Sequence, residues 1–122
     1  MAKYAVHPDF RMCKINAPFN KSFLSLAYPV MKFALKITKT PDGIATKHFT
    51  VSGFQNLEIP VDIFIPQNCS DNAPCLLYFH GGGFGFNASP YHKEIACRYA
   101  LDSKCQVVFP YYHLLPHYPF PA

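Results

Sequence analysis

The stretch that decides the fold is CLLYFHGGGFGFNASP, residues 75–90. Residues 75–79 form a continuous apolar run, which is typical of a strand buried on both faces of a parallel sheet. Ser89-Pro90 indicates a helix start, because serine caps helices and proline fits their first turn. A second apolar run, QVVFP, occupies residues 106–110. The order strand, glycine loop, helix, strand predicts a βαβ unit, and therefore the α/β class.

The residues before this unit indicate a hairpin at the margin of the sheet. Apolar residues recur at every second position, weakly over residues 47–51 and more clearly over residues 57–65. The second pattern predicts a half-buried strand whose core face carries the odd-numbered residues, with Pro60 placing its early part at an edge. On the other side, we expect the sheet to end at residues 106–110. Such an apolar open edge favours pairing with another chain.

Residues 8–37 have a helical pattern in two pieces. The spacings of 4, 3 and 4 place one set of side chains on one face: Leu24, Tyr28, Met31 and Leu35. We interpret this face as core packing, with a lid over a cleft as the alternative, and expect Pro29 to kink or split the helix. The predicted organisation is a helical cap-like segment, 1–40, followed by an incomplete α/β core, 41–122.

Composition excludes several classes of protein. The 122 residues suffice for one domain, and the net charge of +4 is scattered rather than clustered, so we expect no nucleic-acid binding.

The five cysteines contain no C-x-x-C pair, and no secretory leader is visible, which favours free thiols in the cytoplasm. Residues 23–37 are too short and too interrupted to span a bilayer. His113 and His117 flank Pro116 without a supporting acid, so we expect no metal and no cofactor.

The three consecutive glycines, residues 81–83, carry the functional information. Glycines after a strand end can present consecutive backbone amides to an oxygen that becomes negative during acyl transfer. A dinucleotide site is an alternative, since residues 83–88 fit G-x-G-x-x-A, but no acid follows Asp102 to hold a ribose. A tight packing turn is the other alternative, although one or two glycines would suffice for it.

Two ordered motifs resemble a known family. His80-Gly81-Gly82-Gly83-Phe84 resembles the HGGG-type loop of lipases and esterases. YHLLP at 112–116 and PFPA at 119–122 resemble the segment YRLAPEHPFPA of the hormone-sensitive-lipase-like α/β-hydrolases, which include acetyl esterases and arylacetamide deacetylases. The resemblance covers residues 57–122. It implies an α/β-hydrolase fold, small ester substrates, and no cofactor.

The same resemblance implies roles for individual residues. Gly82 and Gly83 would donate the oxyanion-hole amides, His80 would orient the loop, and Phe84 would line the acyl pocket. The chain departs from the family in that segment, where Tyr111 replaces an acid. The other replacements are His113 for Arg, Leu115 for Ala, and His117-Tyr118 for Glu-His.

No G-x-S-x-G nucleophile motif occurs in the 122 residues. Ser89 is interpreted as a helix cap, and Cys75 and Cys97 as inert core thiols. We therefore expect the N-terminal part of a serine carboxylesterase or lipase-like hydrolase, inactive alone. The alternatives are a non-catalytic interaction module or half of a split hydrolase.

Overall fold

The computed structural model describes residues 20–70, 72–115 and 117–118, and these form a mixed four-stranded sheet with two helices. The elements are α1 Lys21–Ile37, β1 Ile44–Ser52, a 3-10 turn Phe54–Asn56, β2 Glu58–Pro66, β3 Cys75–Leu77, α2 Pro90–Ser103 and β4 Gln106–Pro110. The strand order is β1-β2-β4-β3. β1 and β4 run antiparallel to β2, and β3 runs parallel to β4. The predicted α/β class, hairpin and βαβ unit are confirmed.

The core lies between α2 and the sheet. Phe64 and Phe109 are fully buried, with their rings packed edge to face. Three small residues of α2 are buried against them: Ala96, Cys97 and Ala100. The apolar residues of this helix also predict Tyr99 and Leu101 on its inner face, which is wrong, because both are exposed. Small side chains let the helix lie close to the sheet and leave no room for larger ones.

The predicted inner face of β2 is wrong except at Val61. Asp62, Phe64 and Pro66 are buried as well as Val61, whereas the odd-numbered Ile59, Ile63 and Ile65 are only partly covered. The reason is that β2 lies between β1 and β4, so alternation does not separate core from solvent. Which face of β2 is buried depends instead on α2, and this helix packs on the side of the sheet that carries Phe64.

The open edge of the sheet is β3, not β4. β4 lies between β2 and β3, and within the described residues β3 pairs with β4 alone. The residues of β3 are therefore exposed rather than buried on both faces, and Leu77 retains 54% of its accessible surface. Cys75 is exposed for the same reason, so its expected place in the core is wrong. Cys97 is buried, and burial raises the pKa of its thiol to about 11.

A buried carboxylate joins the strands of the sheet. Asp62 accepts a hydrogen bond from Tyr111 Oη at 2.7 Å and lies 2.6 Å from His48 Nδ1 on β1. Burial, together with the bond to this carboxylate, raises the pKa of Tyr111, which keeps its proton available for donation. Both carboxylate oxygens thus have a partner, as a buried charge requires.

Helix α1 is one continuous element that passes through Pro29, so of the two predicted effects, a kink or a split, the split does not occur. Asn20 caps it by accepting from the amide of Phe23. The part of the prediction before residue 20 lies outside the described residues. The predicted inner face is confirmed: Leu24 is buried, and Leu35 packs against the core. No helix in the described ranges is both long and apolar enough to cross a membrane.

Replacing Phe64 by alanine should lower the free energy of unfolding by about 3–5 kcal/mol, because it opens a cavity in the core. Phe49 on β1 is the matched control, since half of its surface is exposed. We expect Phe49→Ala to change stability by only about 0.5 kcal/mol. Urea denaturation followed by circular dichroism measures both changes, and equal losses would contradict the assignment of the core.

Candidate active site

A cleft of about 750 Å³ opens beside the glycine loop, near the carboxyl ends of β3 and β4. Open α/β sheets bind ligands at this end of their strands. Its lining comes from three parts of the chain: Ile59; residues 79–84; and Tyr112, His113, Leu115 and Tyr118. All four residues singled out from the sequence, Gly82, Gly83, His80 and Phe84, are therefore brought together at one cleft.

The backbone of the loop explains why glycines are present. Gly82 has φ +135°, and a Cβ placed there would lie 2.9 Å from the carbonyl oxygen of Phe86. Gly83 has φ +58°, in the left-handed region. Gly81 has neither constraint, and a Cβ there would meet nothing within 4 Å. Tight turning thus requires glycine at position 82 and favours it at position 83.

The carbonyl of Gly82 closes the turn by accepting from the amides of Gly85 and Phe86, at 3.1 and 3.2 Å. Among the described residues, the amides of Gly82 and Gly83 themselves donate to no acceptor. Two unbonded backbone donors therefore stand beside an accessible cleft. The helix begins only at Pro90, so these amides are not part of a helix N-terminus.

His80 is buried behind the loop. Its Nδ1 donates to the carbonyl of Gly81 at 2.8 Å. Its ring stacks on Tyr112, with centroids 4.6 Å apart, and on Phe109, at 6.1 Å. Burial lowers the pKa of His80, and the bond to Gly81 only partly opposes this shift. A neutral imidazole with these partners can orient the loop.

Tyr112 is the residue that the sequence analysis missed. Its hydroxyl donates to the carbonyl of His80, and its ring covers the histidine. Its position in the chain could have indicated this role, because Tyr112 follows β4, whose carboxyl end lies beside that of the parallel strand β3. Residues after the ends of neighbouring parallel strands meet at one edge of the sheet. Burial raises the pKa of Tyr112, so the donor keeps its proton.

Aromatic side chains form the walls of the cleft. Phe84 is 67% exposed and has its ring edge to face with Tyr112 at 5.9 Å. The ring centroid of Phe79 lies 6.2 Å from that of the same tyrosine. The carbonyl of Phe84 accepts from the amide of Leu115, which ties the loop to the segment after β4. An apolar wall of this kind suits an uncharged, apolar group of a ligand.

The segment that departs from the family motif has its own contacts. Tyr111, at the position of the expected acid, bonds to Asp62 instead of presenting a charge. His113 stacks on Tyr118 with centroids 4.1 Å apart, and His117 lies against Tyr28 of α1. No group of three or more metal-binding side chains occurs in the part of the chain that the structure describes.

Ser89 caps α2, as predicted, but with an unusual partner. The imidazole Nδ1 of His92 accepts from the amide of Ser89 at 3.0 Å and lies 3.0 Å from its hydroxyl. His92 thus occupies the position where a capping box normally has glutamate or glutamine. Burial, and then the nearby His80, lower the pKa of His92.

Known proteins share this architecture. A family model described as an alpha/beta hydrolase fold matches residues 76–122. Carboxylesterase NlhH of Mycobacterium tuberculosis is 35% identical over 71 residues, which cover 57% of this chain and 22% of that protein. A Pyrobaculum calidifontis esterase superposes with a TM-score of 0.70 at 24% identity, covering 97% of this chain and 39% of that one. An esterase of the bacterial hormone-sensitive lipase family superposes with a TM-score of 0.64 at 24% identity, and the match covers 88% of this chain and 33% of that one.

These similarities define the class: the chain has an α/β-hydrolase fold, and its architecture is that of the N-terminal portion of the fold. The family model and the identity to carboxylesterase NlhH support the expected resemblance to α/β-hydrolase esterases. The chain spans about a fifth of NlhH and between a third and two fifths of the two solved esterases.

The two histidines beside the loop make stability depend on pH. Both have pKa values below the usual 6.5, so the unfolded chain binds protons more readily than the folded one. We therefore expect these histidines to leave the free energy of unfolding undiminished above about pH 6.5 and to lower it as the pH drops below that value.

His92→Glu supplies the usual capping-box residue, which stays ionised near pH 5.5. We expect this variant to lose less stability than the parent between about pH 7.5 and about pH 5.5, measured by urea midpoints. An identical loss in both proteins would exclude His92 as a source of the pH dependence.

Proposed function

We propose that the chain supplies the oxyanion-stabilising part of a serine carboxylesterase site that acts on short acyl esters of small molecules. The observation that carries this proposal is the pair of unbonded amides, at Gly82 and Gly83, beside an apolar cleft. When a nucleophile attacks an ester, the carbonyl oxygen becomes negative. Preorganised N–H donors lower the energy of that oxyanion by about 2.7–4 kcal/mol each.

The surrounding residues take supporting roles in this proposal. His80 and Tyr112 hold the loop from behind, so the amides need no reorganisation when charge develops. Phe84 contributes the wall of the acyl pocket, where its exposed ring can cover an alkyl or aryl group. The segment 1–40 serves as a cap-like unit and residues 41–122 as the hydrolase core. The four described cysteines are free thiols, which suits a cytoplasmic setting.

The nucleophile is not among these residues. The 122 residues contain no G-x-S-x-G motif, and the hydroxyl of Ser89 is engaged at the start of α2. The proposed chemistry therefore needs a serine, a histidine and an acid from outside this stretch. Alone, the chain should hydrolyse p-nitrophenyl acetate no faster than the buffer does.

A chimera tests the oxyanion role directly. Residues 76–122 replace the matching stretch of carboxylesterase NlhH, which supplies its own nucleophile part. We expect the chimera to hydrolyse p-nitrophenyl acetate. Gly82→Ala should lower its kcat by about 100-fold or more, because φ and the close carbonyl of Phe86 forbid a side chain there.

Gly81→Ala is the matched control for this experiment, since a Cβ at that position meets nothing within 4 Å. We expect its kcat to stay within a few-fold of the parent chimera. Equal activity of both alanine variants in a folded chimera would contradict the proposal.

We further propose that β3 pairs with a strand of another chain, as in a split hydrolase. Its exposed leucines, Leu76 and Leu77, carry no charge that would oppose pairing, whereas the opposite edge strand β1 carries Lys47. Charged side chains on an edge strand are a common obstacle to edge pairing.

Leu77→Lys should therefore reduce the concentration-dependent association of the chain in light scattering. Val51→Lys, on the other edge strand and similarly exposed, should leave it unchanged. If only the β1 substitution prevented association, pairing would occur at the wrong edge and the proposal would be withdrawn.

A further inference from the structure

Helix α1 has a second apolar face that the core does not use. Four large side chains repeat at spacings of 4, 3 and 4 and are each 63–71% exposed: Leu26, Val30, Phe33 and Ile37. We call this set the outer stripe. It is displaced by two positions from the inner set, Leu24, Tyr28, Met31 and Leu35. Because two residues turn a helix by about 200°, the stripe points away from the protein.

Isolated exposed leucines need no explanation, but a continuous stripe does. The outer stripe covers 11 residue steps, or about 16 Å of helix. The helix that bears it is held to the rest of the protein on its other side: the side-chain Nδ2 of Asn87 donates to the carbonyl of Tyr28, and the ring of Phe23 packs edge to face with that of Phe86. The stripe is therefore presented by an anchored helix.

The charges on α1 itself are all of one sign. Lys21, Lys32 and Lys36 are exposed on α1, and the helix contains no acidic residue. From residue 10 to residue 41 the sequence has six basic residues and no acidic one. By helical geometry, Lys32 and Lys36 lie along one flank of the stripe, where long lysine stems can cover apolar surface while the ammonium groups reach outward.

We propose that α1 docks through the outer stripe on an anionic lipid surface and lies in its plane. An apolar helix face with a lysine flank has the composition of interfacial helices, which bind by burying apolar area and by attracting anionic headgroups. The anionic headgroups complement the lysines. At 17 residues, α1 is about 25 Å long and is too short to span a bilayer. This docking is independent of the proposed ester hydrolysis.

Tryptophan fluorescence tests the contact, because the chain contains no tryptophan. Phe33→Trp places the probe in the outer stripe, and Phe49→Trp places a matched, half-exposed probe on β1. With vesicles of phosphatidylcholine and one-third phosphatidylserine, we expect emission to shift to shorter wavelength for the first variant only. Shifts in both variants, or in neither, would overturn the proposal.

Charge variants test the choice of lipid. Lys32→Gln with Lys36→Gln should weaken vesicle binding about 30-fold, since each lysine near an anionic surface contributes about fivefold. Lys47→Gln with Lys104→Gln changes the net charge equally at two exposed sites outside α1 and should have little effect. Equal weakening by both pairs, or equal binding to pure phosphatidylcholine, would contradict the proposal.

Self-association is the competing use of the stripe. If a second copy of the chain covered it, the emission of Phe33→Trp would shift with protein concentration in the absence of vesicles. That result would overturn the lipid assignment. Far-UV circular dichroism of each variant shows whether it is folded, and the exposed positions of all substitutions make unfolding an unexpected result.

Discussion

The stack of His80 on Tyr112 and Phe109 is the interaction on which the candidate site depends. It joins the buried end of β4 to the loop that follows β3, two segments that are far apart in sequence. The tyrosine hydroxyl and the histidine Nδ1 each bond to a carbonyl of the loop, so the backbone is held at two successive residues. With the carbonyls held, the next amides, those of Gly82 and Gly83, remain free of acceptors beside the cleft. Desolvation keeps the imidazole neutral and avoids placing a buried charge behind the donors.

The altered motif after β4 takes part in a buried polar network whose carboxylate oxygens both have partners. Where the family motif has an acid, this chain has Tyr111, and the negative charge stands on β2 as Asp62. Tyr111 donates to one oxygen of that carboxylate and His48 meets the other. A side-chain hydrogen bond thereby joins β2 to the residue that follows β4. The position of Tyr112, and with it the support of the glycine loop, follows from this arrangement of the preceding residue.

Among the described residues, two surfaces expose large apolar side chains. One is the edge at β3, and the other is the outer stripe of α1. They differ in charge: β3 contains no charged residue, whereas α1 carries lysines without acids. Backbone groups on an unpaired edge favour another strand. A basic, apolar helix face favours an anionic surface. The difference in charge thus favours a protein partner at the β3 edge and a lipid partner at the outer stripe of α1.

The sequence by itself determined the order of the elements, the hairpin, the cap of α2 and the glycine loop with its histidine. Each of these depends on local rules, such as the fit of Ser89-Pro90 to a helix start or of glycine to a positive φ. Only the tertiary structure decided which strand lies at the edge, which face of β2 meets the helix, and that Tyr112 supports His80. Alternation in a sequence tells which residues share a face. It does not tell which neighbour covers that face, because strand order and helix placement depend on contacts between distant segments.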